Sequence, residues 1–491
     1  MTRLDRCFGD ILRRIVSSVF HRNALSSGLS LAAALLTEPT AAEQPNFVVV
    51  FADDLGYADL GCYGARELET PEIDRMASEG RRFTHYYVAS PTCTPSRAAL
   101  LTGCYPLRAG FDDAIAVRAN GSRSPSRVLW PESPLGLNPD EITIAEVLQD
   151  AGYATGMVGK WHLGDRPEFN PTEHGFDEYF GVPYSNDMSP YYYQRGQRRL
   201  KEEVDRDQQL QRYTEEALGF IDRHGDEPFF LYLAHTMPHT PLAASAEFAG
   251  KSKRGAYGDV IRELDDSTGR ILQALRDAGL DKRTLVIFTS DNGPWLHRGE
   301  RGGHATPLRG GKGGTYEGGM RVPCIAWQPG TVPAGTTCDE IATTMDLLPT
   351  FAAMADGTVP TDRKIDGHDI TPLLVDDSKA KSPYDHFLYY FGNELHGVRS
   401  GRWKLRTRNH LLNENIYNYG APKDVFLPEA LYDLRLDPGE QKSVLKNHPK
   451  IAERLRGYLE AARADLGDSL TGIEPTGGRP SGNVMVLETA E

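Results

Sequence analysis

Along this chain, apolar runs that stop at ionisable residues recur. Asn46 to Phe51 is a continuous β-branched and aromatic run, the pattern of a strand buried on both faces, and it ends in Asp53 and Asp54. Ala154 to Val158 runs into Gly159, Lys160, Trp161, His162, Leu163 and Gly164. Phe229 to Leu233 leads to His235 and, past Pro238, to His239, while Leu285 to Thr289 leads to Asp291, Asn292 and Gly293. Between these runs the period turns helical. Thr143 and Glu146 make a capping box for Ile144, Val147 and Leu148, with Gly152 as the stop. Val260, Ile261, Leu264, Ile271 and Leu275 line one face of a long helix. The alternation predicts an α/β fold, a large and mostly parallel sheet flanked by helices. Ligands of such sheets bind outside the carboxyl ends of the strands, which gathers the polar terminators on one edge.

From about Ser382 the pattern changes. Phe387 to Phe391, then Val398 to Leu405, then Leu431 to Leu434 read as short strands separated by glycine and charged turns. A closing helix carries Ile451, Leu455, Tyr458 and Leu459 at helical spacing. The expected organisation is a main catalytic domain over 43–381 and a smaller C-terminal antiparallel sheet plus helix over 382–491. The Gly-, Pro- and Thr-rich tail after Gly467 is expected to be loose.

The first 42 residues add a compartment. Arg3, Arg6, Arg13, Arg14 and Arg22 form a basic leader, Ala24 to Leu36 an apolar core, and Thr40-Ala41-Ala42 a small-residue cleavage site. The core is too short to serve as a stable membrane anchor, so the expectation is a signal peptide and export to a periplasm or outside. With Cys7 removed and Cys93 set aside, Cys62, Cys104, Cys324 and Cys338 remain, either as free thiols or with Cys324 and Cys338 paired across a short loop. The formal net charge of -14 argues against nucleic acid as a partner, and an anionic substrate would need a local basic pocket.

Cys93-Thr94-Pro95-Ser96-Arg97, followed by Leu101-Thr102-Gly103, supplies the chemistry. Pro91 and Pro95 are expected to hold the chain out of helix until Ser96 caps the run Arg97 to Leu101, with Cys93 just before the helix N-terminus. There, backbone N–H groups and the dipole favour an anion. This stretch resembles the signature of the type I sulfatases of the alkaline phosphatase superfamily, in which the cysteine becomes formylglycine. Gly159 to Gly164, His174 to Asp177, Pro238 to Pro241 and Gly311 to Pro323 are similar to further motifs of that family, in the same order. Cys104 departs from the arginine common after Leu-Thr-Gly, outside the catalytic set.

The carboxylates Asp53, Asp54 and Asp291 with Asn292 suit a hard cation on their own chemistry. The resemblance assigns them, with formylglycine at Cys93, to one metal site, usually Ca2+, with Mg2+ the other candidate. It also implies that Lys160 and His162 hold the sulfate and formylglycine oxygens. His239 and Lys312 would contact and protonate the ester oxygen, and Ser185 would touch sulfate. A formylglycine-generating enzyme is the implied maturation partner. In the implied mechanism the ion and Arg97 activate one hydroxyl of a hydrated aldehyde for in-line attack on sulfur, and His162 helps to expel sulfate. The expected function is hydrolysis of a sulfated carbohydrate or aryl sulfate. Two other readings stay open at this point: a phosphomonoester, phosphodiester or phosphonate hydrolase on the same fold, and a non-catalytic glycan-binding protein. Phe111 to Pro134, Ser189 to Arg199 and Trp295 to Pro307, rich in Arg, Tyr and His, are expected to shape the leaving-group pocket.

Overall fold

The computed structural model describes residues 44–116, 121–122, 124, 126–375, 379–410 and 425–487. Residues 1–42, expected to be a signal peptide and including Cys7, lie outside the described residues, as does part of the 111–134 loop.

Seven strands form the body of an 11-stranded sheet: β1 (Asn46–Ala52), β2 (Arg81–Tyr87), β3 (Ala154–Lys160), β4 (Glu178–Val182), β5 (Phe229–Ala234), β6 (Thr284–Ser290) and β7 (Arg321–Trp327). Their order across the sheet is β2, β7, β6, β1, β5, β3, β4. β1, β3, β4, β5 and β6 run parallel, so their carboxyl ends share one edge. β7 is antiparallel to both of its neighbours. Among the helices are α1 (Pro71–Glu79), α2 (Cys93–Thr102), α3 (Ile144–Asp150), α4 (Gln209–His224), α5 (Gly255–Asp277), α6 (Leu347–Met354) and α7 (Pro449–Leu466). β1 explains the two-sided core by alternation. Phe47, Val49 and Phe51 join the residues of α2, α3 and α6, while Val48, Val50 and Ala52 join those of α1, α4 and α5. Phe47 stacks between Tyr153 and Phe351, at ring separations of 5.6 and 4.3 Å. The capping box at Thr143 and Glu146 is present, and Gly152 follows the end of α3 with φ 88°.

A second sheet is antiparallel and follows chain order: β8 (Phe387–Phe391), β9 (Glu394–Ser400), β10 (Trp403–Arg406) and β11 (Ala430–Asp433). Its apolar face, with Ala452, Leu455 and Leu459 of α7, joins the same core as α2.

Two local expectations need correction, at the start of α2 and in the tail, and the open question of the cysteines is decided for free thiols. α2 begins at Cys93 with Thr92 in the N-cap position, so Cys93 is the first helical residue and Ser96 is no cap. Pro95 falls in the first turn, where its missing N–H has no intrahelical partner to lose, so it does not delay the helix. Cys324 and Cys338 are free thiols, as are Cys62, Cys93 and Cys104. Both align with Phe83, from opposite sides of β2. Two strand spacings put them about 9–10 Å apart, beyond disulfide reach. The tail is held, not loose. Gly482–Asn483 pairs with Leu135–Gly136, and Arg479 makes a forked pair with Glu141 at 2.6 and 2.7 Å.

Candidate active site

At the shared carboxyl edge, Asp53 and Asp54 follow β1, Lys160 ends β3, Ser185 follows β4, His239 follows β5, and Asp291 and Asn292 follow β6. Cys93 enters from the start of α2, and every residue of that helix is buried. Asp53, Asp54, Asp291 and Cys93 each offer a ligand atom within 4.8 Å of the others. The Cys93 Sγ, which stands where formylglycine oxygen would be, lies 3.6 Å from Asp53 Oδ1.

Two folding features aim these groups. Asp54 adopts φ 68°, a left-handed conformation rare outside glycine, which turns its amide to Asp291 Oδ1 at 3.1 Å. Gly293 lets the end of β6 press against the 309–319 loop, since a Cβ there would sit 1.8 Å from Gly318 O.

Cations interleave with the carboxylates. Arg97 Nη2 donates to Asp291 Oδ2 at 2.8 Å and Lys160 Nζ to Asp53 Oδ2 at 2.6 Å. Lys312 Nζ donates to Asp54 Oδ2 at 2.8 Å. Burial opposes ionisation of Asp53, but Lys160, Arg97 and Lys312 hold its carboxyl below the usual range. Asp54 goes the other way. Burial, with Asp53 and Asp291 beside it, outweighs Lys312 and pushes it up to about 7. Burial and Asp53 likewise raise Asp291. Each carboxylate thus has a basic partner, yet burial leaves Asp54 and Asp291 raised. Asn292 gives its amide to Asp54 Oδ1 at 2.7 Å, which leaves its buried Oδ1 without a hydrogen-bond partner. An orphaned amide oxygen beside three carboxylates fits a hard cation, and these four residues could hold one.

The histidines have defined tautomers. His162, at φ 64°, points Nε2 at Leu129 O at 3.1 Å, so Nε2 carries the proton and the buried Nδ1 keeps its lone pair. Thr94 in the first turn of α2 fastens this corner, donating to His162 O at 3.0 Å and accepting from Leu129 N at 3.2 Å. His239 Nδ1 faces Asn186 Oδ1 and Thr240 O at 3.0 and 2.6 Å, both acceptors, so its proton sits there. Its Nε2 lies 3.7 Å from Asp54 Oδ2. Burial and the nearby lysines hold both imidazoles well below their ordinary pKa, hence neutral. Burial and Asp291 push the Cys93 thiol far up, so it is no thiolate.

Ser185 is buried beside Asn186, and it is Asn186, absent from the expected set, that orients His239. Trp295 was expected only as part of a pocket loop. It packs on His239 at 5.2 Å and lies 4.6 Å from Lys312 Nζ, forming a wall of the site. Its position, three residues after Asn292, was the available signal.

Residues 45–358 match the Sulfatase family, and residues 311–465 match the C-terminal region of N-sulphoglucosamine sulphohydrolase. N-acetylgalactosamine-6-sulfatase of Sus scrofa is 42% identical over 398 residues, covering 77% of this chain and 74% of that one. Arylsulfatase A of Homo sapiens is 38% identical over 485 residues, covering 90% and 92%. Among solved structures, Ps i-CgsB in complex with k-i-k-neocarrahexaose superposes with a TM-score of 0.73 at 30% identity, covering 85% of this chain and 92% of that one. PsFucS1 sulfatase from Pseudoalteromonas sp. gives 0.74 at 27%, covering 85% and 90%. The neutralised carboxylate cluster around Cys93, the lysines facing it and these likenesses along most of the chain agree: the protein is a sulfuric ester hydrolase and belongs to the sulfatase family.

Proposed function

We propose that this sulfatase removes sulfate from carbohydrates, with Cys93 carried as formylglycine and Ca2+ held by Asp53, Asp54, Asp291 and Asn292. The observation that carries the reading is the buried cluster at Cys93, where three carboxylates converge with the orphaned Asn292 Oδ1. The substrate class rests on the relatives, which include an N-acetylgalactosamine-6-sulfatase and a structure holding k-i-k-neocarrahexaose. Export rests on the basic leader and apolar core of residues 1–42, and no helix among the described residues is long and apolar enough to cross a membrane.

When bound, the ion neutralises the cluster and, with the hydrated aldehyde, provides the oxygen nucleophile that a buried thiol does not. The chain's own groups do the rest. Arg97, locked by Asp291, keeps a guanidinium against the start of α2. Lys160 offers its ammonium group to sulfate oxygens and Lys312 its own to the ester oxygen, both in a buried site where such charges act strongly. His162 Nδ1, an unprotonated base, takes the proton when sulfate is expelled. Lys312 rather than His239 is the proton donor to the departing alcohol. The proton on His239 is held at Nδ1 by Asn186 and Thr240, and its Nε2 serves as an acceptor. Trp295 offers an apolar face to the leaving group.

The test is sulfate release from an aryl sulfate and from a panel of sulfated oligosaccharides, with phosphate esters run in parallel. Protein proven by mass to carry formylglycine at position 93 is compared with Cys93→Ala. Release from defined oligosaccharides that vanishes in the variant supports the proposal. Turnover of the aryl sulfate alone overturns the carbohydrate assignment, and unchanged turnover in Cys93→Ala overturns the mechanism.

A further inference from the structure

The loop that presents Lys312, Arg309 to Gly319, has glycine at six of its eleven positions. Such a chain loses much backbone entropy when ordered, so something must hold it. On the active-site side it is tied by Lys312 N to Pro294 O at 2.9 Å, Gly313 N to Pro91 O at 2.8 Å, and Lys312 Nζ to Asp54. On its far side the grip comes from residues some seventy or more positions later in the chain. Lys404 of β10, fully buried, donates to Thr315 O and Glu317 Oε1, both at 3.0 Å, and lies 2.9 Å from Glu440 Oε1. Glu440 Oε2 accepts from Glu317 N at 2.7 Å, and Glu440 O accepts from Arg309 at 3.0 Å. Tyr389 of β8 adds a bond to Glu317 Oε1 at 2.7 Å. Lys404 and Glu440 thus hold both the start of the loop, at Arg309, and its later half, at Thr315 and Glu317.

We infer that Lys404 and Glu440 are positioning residues for Lys312: the C-terminal sheet sets where the proton donor stands at the ester oxygen. The inference rests on the reading of Lys312 as that donor. Neither residue touches the reacting atoms. Without the ammonium, two buried carboxylates face each other and the loop has to move to separate them. A displaced Lys312 would still leave attack on sulfur intact, so the loss should fall on substrates whose leaving alcohol needs a proton.

The experiment compares kcat and KM on 4-nitrophenyl sulfate, whose leaving group departs as the anion, and on a sugar sulfate, whose alkoxide requires protonation. Wild type, Lys312→Ala, Lys404→Met and Glu440→Gln are measured, each normalised to formylglycine content and accompanied by a melting curve. The expected result for Lys404→Met and Glu440→Gln is a kcat loss at least about tenfold greater on the sugar sulfate, as in Lys312→Ala, with KM little changed. Equal losses on both substrates, tracking a lowered melting temperature, would mean a merely structural role and overturn the inference. Glu440→Gln, which keeps the side-chain shape, carries the same reading if Lys404→Met does not fold. Selective loss in Lys312→Ala alone overturns the inference and spares the donor assignment. Equal losses in Lys312→Ala sink that assignment and the inference with it.

Discussion

Two fully buried ion clusters lie on either side of one glycine-rich loop, and they are built to opposite ends. Around Glu317 three cations and two donors gather on one carboxylate, while burial raises its neighbour Glu440, whose Oε1 has Lys404 2.9 Å away. Burial alone would raise the Glu317 carboxyl, but Lys404, Arg399 and Arg321 hold it far below the ordinary range, and Tyr389 and Lys404 donate to it. Around Asp54 it is otherwise. Asp54 and Asp291 are both raised, and Asn292 Oδ1 and His162 Nδ1 are buried without partners, so the site is satisfied only with something added. Burial is the same in both. What distinguishes a binding site from a structural ion cluster here is incomplete satisfaction, which costs the folded chain free energy that a ligand can restore.

Variants can break this contrast. The largest effect should be on turnover: Cys93→Ala is expected to bring sulfate release to background while the melting curve stays close to wild type, because alanine suits the first turn of α2. A strongly destabilised variant would show that position 93 carries structure as well as chemistry. Next, Lys404→Met should cost about 3–5 kcal/mol in urea unfolding, the usual penalty for leaving buried carboxylates uncompensated. A loss under about 1 kcal/mol would put the Glu317 cluster in the same unsatisfied class as the site.

A sharper contrast comes from pH. In chelator-treated protein, Asp54, with its folded pKa of about 7 against an ordinary value of 3.8, keeps a proton that the unfolded chain has released. Its contribution is full below about pH 4 and is lost as pH rises through 7. Asp54→Asn should flatten that slope and melt no lower than wild type at pH 7.5, with turnover abolished. Glu317 has the opposite sign: its contribution is present above its ordinary value of 4.5 and is lost as pH falls through its depressed folded value. Melting temperatures from pH 8 down to about pH 2, with and without chelator, read both. The smallest effect is a control away from either cluster. Thr143→Ala removes the capping box of α3 and should cost about 1 kcal/mol with kcat unchanged.

What could be read in advance was whatever rests on short-range pattern. The apolar runs 46–51, 154–158, 229–233 and 285–289 all became parallel strands, and their polar terminators met at one edge because parallel strands leave no other arrangement. Helix α5 buried the expected face, and the Thr143 box formed. Long-range pairings were not legible. Nothing near Lys404 announces that it will reach Thr315 and Glu317, or that Arg479 will find Glu141 across the chain. The left-handed backbone at Asp54 and His162 also escapes propensity, since aspartate and histidine adopt it only where the surroundings enforce it. The Cys324–Cys338 pairing looked open because sequence proximity is silent about the strand that came to lie between them.

The order of the large sheet also sets a clock. β1 is flanked by β5 and β6, so its hydrogen-bond partners are translated only when the chain has reached residues 229–234 and 284–290. Cys93 is buried in the finished protein, at the first turn of α2. The roughly 200 residues separating it from the end of β6 take about 10–40 s to synthesise at ordinary elongation rates. For that interval the Cys-Thr-Pro-Ser-Arg stretch emerges ahead of the strands that will bury it, so on the proposed formylglycine reading the strand order would hold position 93 open to a modifying enzyme, and a circular permutant that translated β5 and β6 first would shorten the opportunity and emerge with less aldehyde.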